Sequence, residues 1–317
     1  MKKLIMMLFG LLCMTSTYAA YPKAGDTLVV ARDGTGQFRN IQDAVESIRA
    51  FMDYTVTIYI KNGTYKEKLI IPSWLDNVTV VGQDSKKTII TYDDHANINK
   101  MGTFRTYSVK VEGTDILFKN LTIENNAPRL GQAVALHTEG DRLAFINCRF
   151  LGNQDTVYTG RAGERLLFRD CYIEGTTDFI FGPSTAVFEN CEIHSKIDSY
   201  VTAASTPKDM KYGYVFKNCR LTAEPGVTKC FLGRPWRPYA ATVFINCNLG
   251  SHIVQAGWYN WSNPKNEKTA RYAEYKSEGV GGVSDKRVSW SHQLTKKEVQ
   301  EYTLDNIFTI QDKWIVK

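Results

Sequence analysis

LLFRDCYI, residues 166–173, has an apolar side that changes phase in its middle. Leu166 and Phe168 alternate as one face of a strand. After Asp170 the apolar pair becomes Cys171 and Ile173, a slip of one residue. Side chains of a strand point alternately to its two faces, so the slip requires a bend. Asn and Asp tolerate the left-handed conformation that such a bend uses. The same pattern recurs as ILFKNLTI from 116, LAFINCRF from 143, AVFENCEI from 186, YVFKNCRL from 214 and TVFINCNL from 242. Its bend residues are Asn120, Asn147, Asp170, Asn190, Asn218 and Asn246, spaced 20 to 28 residues apart. A strand–bend–strand unit of this length cannot bury its apolar face alone and must stack on copies of itself. No long helical pattern separates the units, so the expected fold is all-β: a right-handed parallel β-helix.

The flanks suit that fold. FRNIQDAVESIRAF, 38–51, carries apolar residues at helical spacing and is placed to cap the N-terminal end of the solenoid. TKKEVQEYTLDNIF, 295–308, reads as another short helix. Five repeat units place a cysteine after the bend: Cys148, Cys171, Cys191, Cys219 and Cys247. Side chains stacked in register sit ~4.8 Å apart. That is wider than the ~3.8 Å between the Cβ atoms of a relaxed disulfide. A zinc site needs a tetrahedron rather than a line. The column therefore reads as small, reduced, inward-facing side chains.

The 317 residues suffice for a large core, and no Pro/Gly/Ser-rich linker divides them. One domain is expected over residues 21–317. Residues 1–20, MKKLIMMLFGLLCMTSTYAA, have Lys2 and Lys3, an apolar run from Leu4 to Met14, and small residues ending at Ala19 and Ala20. That is the pattern of a secretory signal, too short to span a bilayer. Cys13 raises the alternative of a lipid anchor, but the large Leu12 precedes it where a small residue is wanted. The expected product is an exported chain, secreted or periplasmic, not bound to membrane. The net charge of +6 is that of an ordinary soluble protein. No Lys/Arg block interleaved with aromatics points to nucleic acid.

Two aspartates sit among apolar and aromatic residues, Asp155 in FLGNQDTVYTG from 150 and Asp178 in EGTTDFIFG from 174. Burying a charge is costly unless it has a partner or a task. Asp155 lies eight positions after Asn147, and Asp178 eight after Asp170. They should occupy equivalent places on successive coils, roughly 5 Å apart. Gln132 is fifteen before Asn147, as Asp155 is before Asp170; Arg234 is twelve before Asn246, as Asp178 is before Asn190. Gln132, Asp155, Asp178 and Arg234 are thus expected to line up, with the small Ala203, Ala204 and Ser205 letting the arginine reach Asp178. Two such carboxyls resist joint ionisation, which makes one an acid and the other a nucleophile or base. The one facing Arg234, Asp178, should stay ionised. Gln132 and Gln154 are neutral donors suited to a developing oxyanion. Tyr158, Phe181 and Trp236 can pack on sugar rings.

Other schemes lack their residues. There is no Gly-x-Ser-x-Gly elbow. The five histidines are not at metal-binding spacing. DGTGQF, 33–38, lacks the lysine and spacing of a phosphate loop.

With these residues in view, the chain resembles the pectin methylesterases, a carbohydrate esterase family. The likeness runs in order through VVARDGTGQFRNIQDAV, GTYKEKL, GQAVAL, GNQDTVY, DFIFG, LGRPW, GWYNW, YAEYKSEGVGG and VSWSHQL. Val157 stands where many relatives have leucine. The resemblance implies hydrolysis of the methyl esters of polygalacturonate, giving methanol and pectate, without metal or cofactor; a monomer is expected. It also implies that Asp178 is the nucleophile and Asp155 the general acid, then base. Gln132 and Gln154 would stabilise the oxyanion, Arg234 orient Asp178, and Trp236 shape the sugar site. Two rival readings remain. Paired carboxyls at this spacing also suit a retaining glycosidase, although the Gly-His-Gly stretch of β-helical polygalacturonases is missing. A noncatalytic carbohydrate-binding solenoid explains the aromatics but not the carboxylates and arginine.

Overall fold

The computed structural model describes residues 21–282, 284–308 and 314. The leader expected at residues 1–20 lies outside the described residues. Each coil lays down three short strands, as Arg165–Arg169, Tyr172–Gly175 and Ile180–Gly182 show before Thr185–Glu189 opens the next coil. Stacked coils build three parallel sheets of eleven, eight and seven strands among the described residues. The long sheet runs from Thr27–Val30 to His292–Gln293 and holds the first strand of each repeat. A second sheet, Gly63–Lys66 to Asn248–Leu249, holds the strand after the bend. The third, here the site sheet, runs from Leu69–Ile71 to Phe231–Gly233. This is the parallel β-helix expected from the repeat.

The bend is a single left-handed residue. Asn120, Asn147, Asp170, Asn190, Asn218 and Asn246 all have φ between 51° and 55°. Successive bends join through their side chains: Asn147 Nδ2 donates to Asn120 Oδ1 at 2.9 Å. Inside, the repeat phenylalanines form one ladder. Phe118, Phe145, Phe168, Phe188, Phe216 and Phe244 stack with centroids 5.3, 4.8, 4.7, 4.4 and 4.4 Å apart. Offset stacking of this kind adds about 0.5–1.5 kcal/mol per pair to the burial of the rings. The cysteine column lies beside it. The six described cysteines, these five and Cys230, are free and buried. The thiols of Cys171 and Cys219 donate to the Phe145 and Phe188 carbonyls, both at 3.3 Å. Burial pushes the Cys148 thiol up to about 12, which keeps it a thiol.

The N-terminal cap is shorter than its pattern: a helix over Ile41–Glu46 that buries Ile41, Ala44 and Val45. Its first amide groups are held from another coil. The Glu67 carboxylate accepts from Ile41 N–H at 3.0 Å and Gln42 N–H at 2.9 Å, satisfying donors a helix start leaves orphaned. The helix expected over 295–308 is instead a 3₁₀ turn, Glu298–Glu301, and a separate helix, Leu304–Phe308. Tyr302 breaks it, turning edge-on to Tyr212 at 5.6 Å. Thr303 then starts the helix by accepting from Asn306 N–H. Ile307 and Phe308 pack on the outer face of the long sheet, in one cluster with Val187, Val215 and Val243. This segment covers a flank rather than closing an end. Among the described residues, no helix is long and apolar enough to cross a membrane.

Candidate active site

The site forms where the chain turns from the second sheet into the site sheet. There Asp155 and Asp178 are themselves left-handed, with φ 69° and 50°. Two residues later, Val157 and Ile180 pair in register and point into the core. Without the turn at the aspartate, alternation would send Asp155 and Asp178 to that same buried side. The left-handed residue lets each carboxyl leave the core while the strand after it stays in phase. Both remain largely covered, at 8% and 6% exposure. The two backbones are bonded in sequence: Asp155 N–H donates to Thr177 O, and Asp178 N–H to Tyr200 O.

Arg234 follows the last strand of the site sheet, Phe231–Gly233. It grips Asp178 with two parallel hydrogen bonds, Nε to Oδ1 at 2.9 Å and Nη2 to Oδ2 at 2.6 Å. A planar fork matched to a carboxylate is the strongest form of such a pair. No described residue donates a hydrogen bond to the Asp155 carboxyl. The electrostatics follow. Burial pushes Asp155 well above the ordinary carboxylate range, and the Asp178 charge adds to that push against Arg234. Burial also raises Asp178, but the Arg234 hydrogen bonds and charge hold it back. Of the two carboxyls, Asp155 is pushed the further above the ordinary range.

The straight column expected from spacing is corrected in two places. Ile180 pairs with Thr202, and Thr202 with Gly233. Arg234 is therefore level with Ala203 and Phe181, three positions beyond Asp178, and its long side chain runs back to the carboxylate. Gln132 is level with Gln154, not Asp155. The Ala133 N–H donates to Gln154 O, and both Ala135 and Leu136 N–H groups reach Thr156 O, a bulge that absorbs one residue. The two glutamines are half-buried, and no described residue bonds their side-chain amides. Tyr158 and Phe181 stack at 4.7 Å, and Trp236 leans on Phe181 at 5.9 Å. Phe104, outside the sequence expectation, extends this wall against Tyr158 at 4.9 Å. Gly182 ends the strand at φ 128°, where a Cβ would lie 2.1 Å from the Thr159 carbonyl oxygen.

Two residues that sequence reasoning passed over complete the arginine's surroundings. Tyr200 and Trp261 lie 3.9 and 3.7 Å from its guanidinium carbon, measured to ring centroids. Their signal was available as aromatics in SYVTAAS and GWYNW, but nothing in the spacing pairs either with Arg234. Among the described residues, no group of three or more His, Cys, Asp or Glu side chains is arranged to hold a metal ion.

Comparison with known proteins bears directly on this arrangement. Residues 27–311 match the family model described as pectinesterase. The chain belongs to the pectinesterase family. It is a carboxylic ester hydrolase by that membership. It is 38% identical over 284 residues to pectinesterase 31 of Arabidopsis thaliana, covering 86% of this chain and 89% of the relative. It spans about half the length of relatives named as probable pectinesterase/pectinesterase inhibitors, such as 53% of one from Arabidopsis thaliana. The structure of a pectin methylesterase from carrot superposes with a TM-score of 0.85 at 30% identity, over 91% of this chain and 94% of that one. A pectin methylesterase solved in complex with a hexasaccharide gives 0.79 at 30% identity, over 93% and 100%.

Proposed function

We propose that this protein hydrolyses the methyl esters of polygalacturonate, the backbone of pectin, releasing methanol and leaving pectate. The observation that carries the reading is the Arg234 fork on Asp178 beside a second buried carboxyl, Asp155, with no hydrogen-bonding partner among the described residues. The ionised Asp178 attacks the ester carbonyl. Gln132 and Gln154, whose amides are uncommitted, donate to the oxyanion as it forms. Asp155 gives its proton to the departing methoxide, so methanol leaves and an acyl-enzyme anhydride remains on Asp178. The Asp155 carboxylate then takes a proton from water, the hydroxide attacks the acyl carbon, and Asp178 departs as the carboxylate. Asp155 is again protonated and the cycle closes. Tyr158, Phe181 and Trp236 present a continuous aromatic wall to the sugar rings. The hexasaccharide bound by a solved relative supports a carbohydrate chain in this cleft.

We infer further that residues 21–317 act as one domain and as a monomer, after export and removal of residues 1–20. The stacked coils favour a single domain, since each passes its strands to the next without a break from Thr27 onward. Methanol and new reducing ends measured on one methylated pectin sample test the activity. Methanol without chain shortening is expected. Shortened chains without methanol would make the carboxyl pair a glycosidase's instead.

A further inference from the structure

The fork of Arg234 meets Asp178 edge-on, which leaves the two flat faces of the guanidinium. Rings at 3.9 and 3.7 Å from one carbon must lie on opposite faces of it, so Tyr200 and Trp261 enclose the group between them. Tyr200 has a second contact with the pair. Its carbonyl accepts the Asp178 N–H at 2.8 Å. Its ring is backed in turn by Phe231 at 5.4 Å and Tyr259 at 5.4 Å. Trp261 comes from a loop that is built to present it. Trp261 and Ser262 are both left-handed, with φ 62° and 53°, which is uncommon for a bulky residue. Asn266 Nδ2 holds the loop at the Asn260 carbonyl at 3.0 Å, and Asn260 Nδ2 is held by Glu267 at 2.7 Å. Ser262 is bonded to the Tyr259 hydroxyl.

We infer that Tyr200 and Trp261 are positioning residues for the esterase reaction: they clamp the Arg234 guanidinium so that its fork stays on Asp178. This rests on the reading of Asp178 as nucleophile. An arginine on a flexible stem loses rotamer freedom when fixed. Two aromatic faces offset that loss by cation–π attraction and by excluding water. The groups facing Asp178 are Asp155, Arg234 and the phenols of Tyr200 and Tyr272, and Tyr259 faces Tyr200. Arg234 is the one cation among them. A looser Arg234 therefore leaves burial less opposed at Asp178, whose carboxyl then ionises at higher pH.

The test is the pH profile of methanol release by Tyr200→Leu, Trp261→Leu and Tyr200→Phe on methylated polygalacturonate, with thermal unfolding of each. Both leucine variants are expected to lose kcat on the order of ten-fold. Their acid limb should move upward by about half a pH unit or more. Tyr200→Phe keeps the ring and should restore both. Trp261→Leu sits on a loop and carries the same test if Tyr200→Leu does not fold. A leucine variant with parental kcat and an unmoved acid limb overturns the clamp. So does a rise in KM alone, which would make the rings substrate contacts. Asp178→Asn belongs in the same series. Its continued methanol release would sink the nucleophile reading itself, whereas its inactivity beside a normal Tyr200→Leu would sink only the clamp.

Discussion

Asp155 and Asp178 share a backbone conformation and a degree of burial, and their partners separate them. Arg234 forks onto Asp178 and lowers its carboxyl against the push of burial, while Asp155 has no donor among the described residues and feels its neighbour's charge. Asp178→Asn should therefore abolish methanol release. Asp155→Asn should slow it by on the order of a hundred- to ten-thousand-fold and let acyl-enzyme accumulate, visible by rapid quench and intact mass. An adduct on Asp155 in the Asp178→Asn variant would reverse the roles. In the proposed mechanism Asp178 acts ionised, so activity should fall as pH drops through its raised pKa. Asp155 acts protonated there, so activity should fall again as pH climbs through its more strongly raised one. A bell-shaped kcat/KM profile is expected, and Asp155 governs its alkaline side. Arg234→Lys replaces a fork by a point charge and should lose turnover across neutral pH; parental turnover would make Arg234 a packing residue. Away from the site, Glu164 is 5% exposed, and its Oε2 has no hydrogen-bond partner. Burial pushes its carboxyl up to about 8, against the opposing Arg161 charge. A carboxyl raised on folding stabilises the fold fully below its unfolded pKa, and that contribution is lost as pH rises through about 8. Glu164→Gln should be the more stable form above that pH, by on the order of a few kcal/mol. Unfolding midpoints at mildly acidic and alkaline pH would reveal it, and parallel declines in both proteins would refute it.

At the level of the element, the turn from the long sheet to the second sheet depends on one left-handed residue in each repeat. Asn218 isolates that requirement, since it is exposed and its φ is 53°. Asn218→Ala should cost about 1–2 kcal/mol, because a Cβ disfavours this conformation. Asn218→Gly should lie closer to the parent, because glycine adopts it freely. Equal unfolding midpoints for the alanine variant and the parent would mean the corner tolerates another geometry. These corners were legible from one line of sequence, since the apolar phase slips across each of them. The corner at Asp155 and Asp178 was not. The residues before it, Gly152 to Gln154 and Gly175 to Thr177, carry no apolar alternation from which a slip could be counted. The C-terminal segment misread as one helix failed for a related reason. Its apolar spacing is helical throughout, and the break falls where Tyr302 meets Tyr212, the Tyr212 hydroxyl donates to the Glu301 carbonyl and Thr303 caps the next helix.

For the whole molecule, the proposed removal of residues 1–20 carries its own prediction. Expression through a secretory route should yield a chain beginning at Ala20 or Tyr21 by intact mass. A lipid adduct on Cys13 would show an anchored protein instead. In the folded solenoid, distance along the chain converts to distance in space by a fixed rule, one coil per repeat. That is why the sequence by itself determined the β-helix, the inward cysteine column, and the meeting of Asp155 and Asp178 on neighbouring coils. The rule holds only where the coils are regular. The link from Thr138 to Leu143 is two residues shorter than that from Thr159 to Leu166, the bulge at Ala135 and Leu136 restores only one of the two for Gln132, and the stagger of Arg234 is bridged by side-chain length. Trp261 arrives from a loop whose path follows no period. Such contacts depend on rotamers and loop closure across 56 residues from Asp178 to Arg234, which nothing local encodes. The pairing of Asp178 with Arg234 was legible in the repeat; the tertiary structure alone decided the register of Gln132, the fork geometry on Asp178 and the arrival of Trp261.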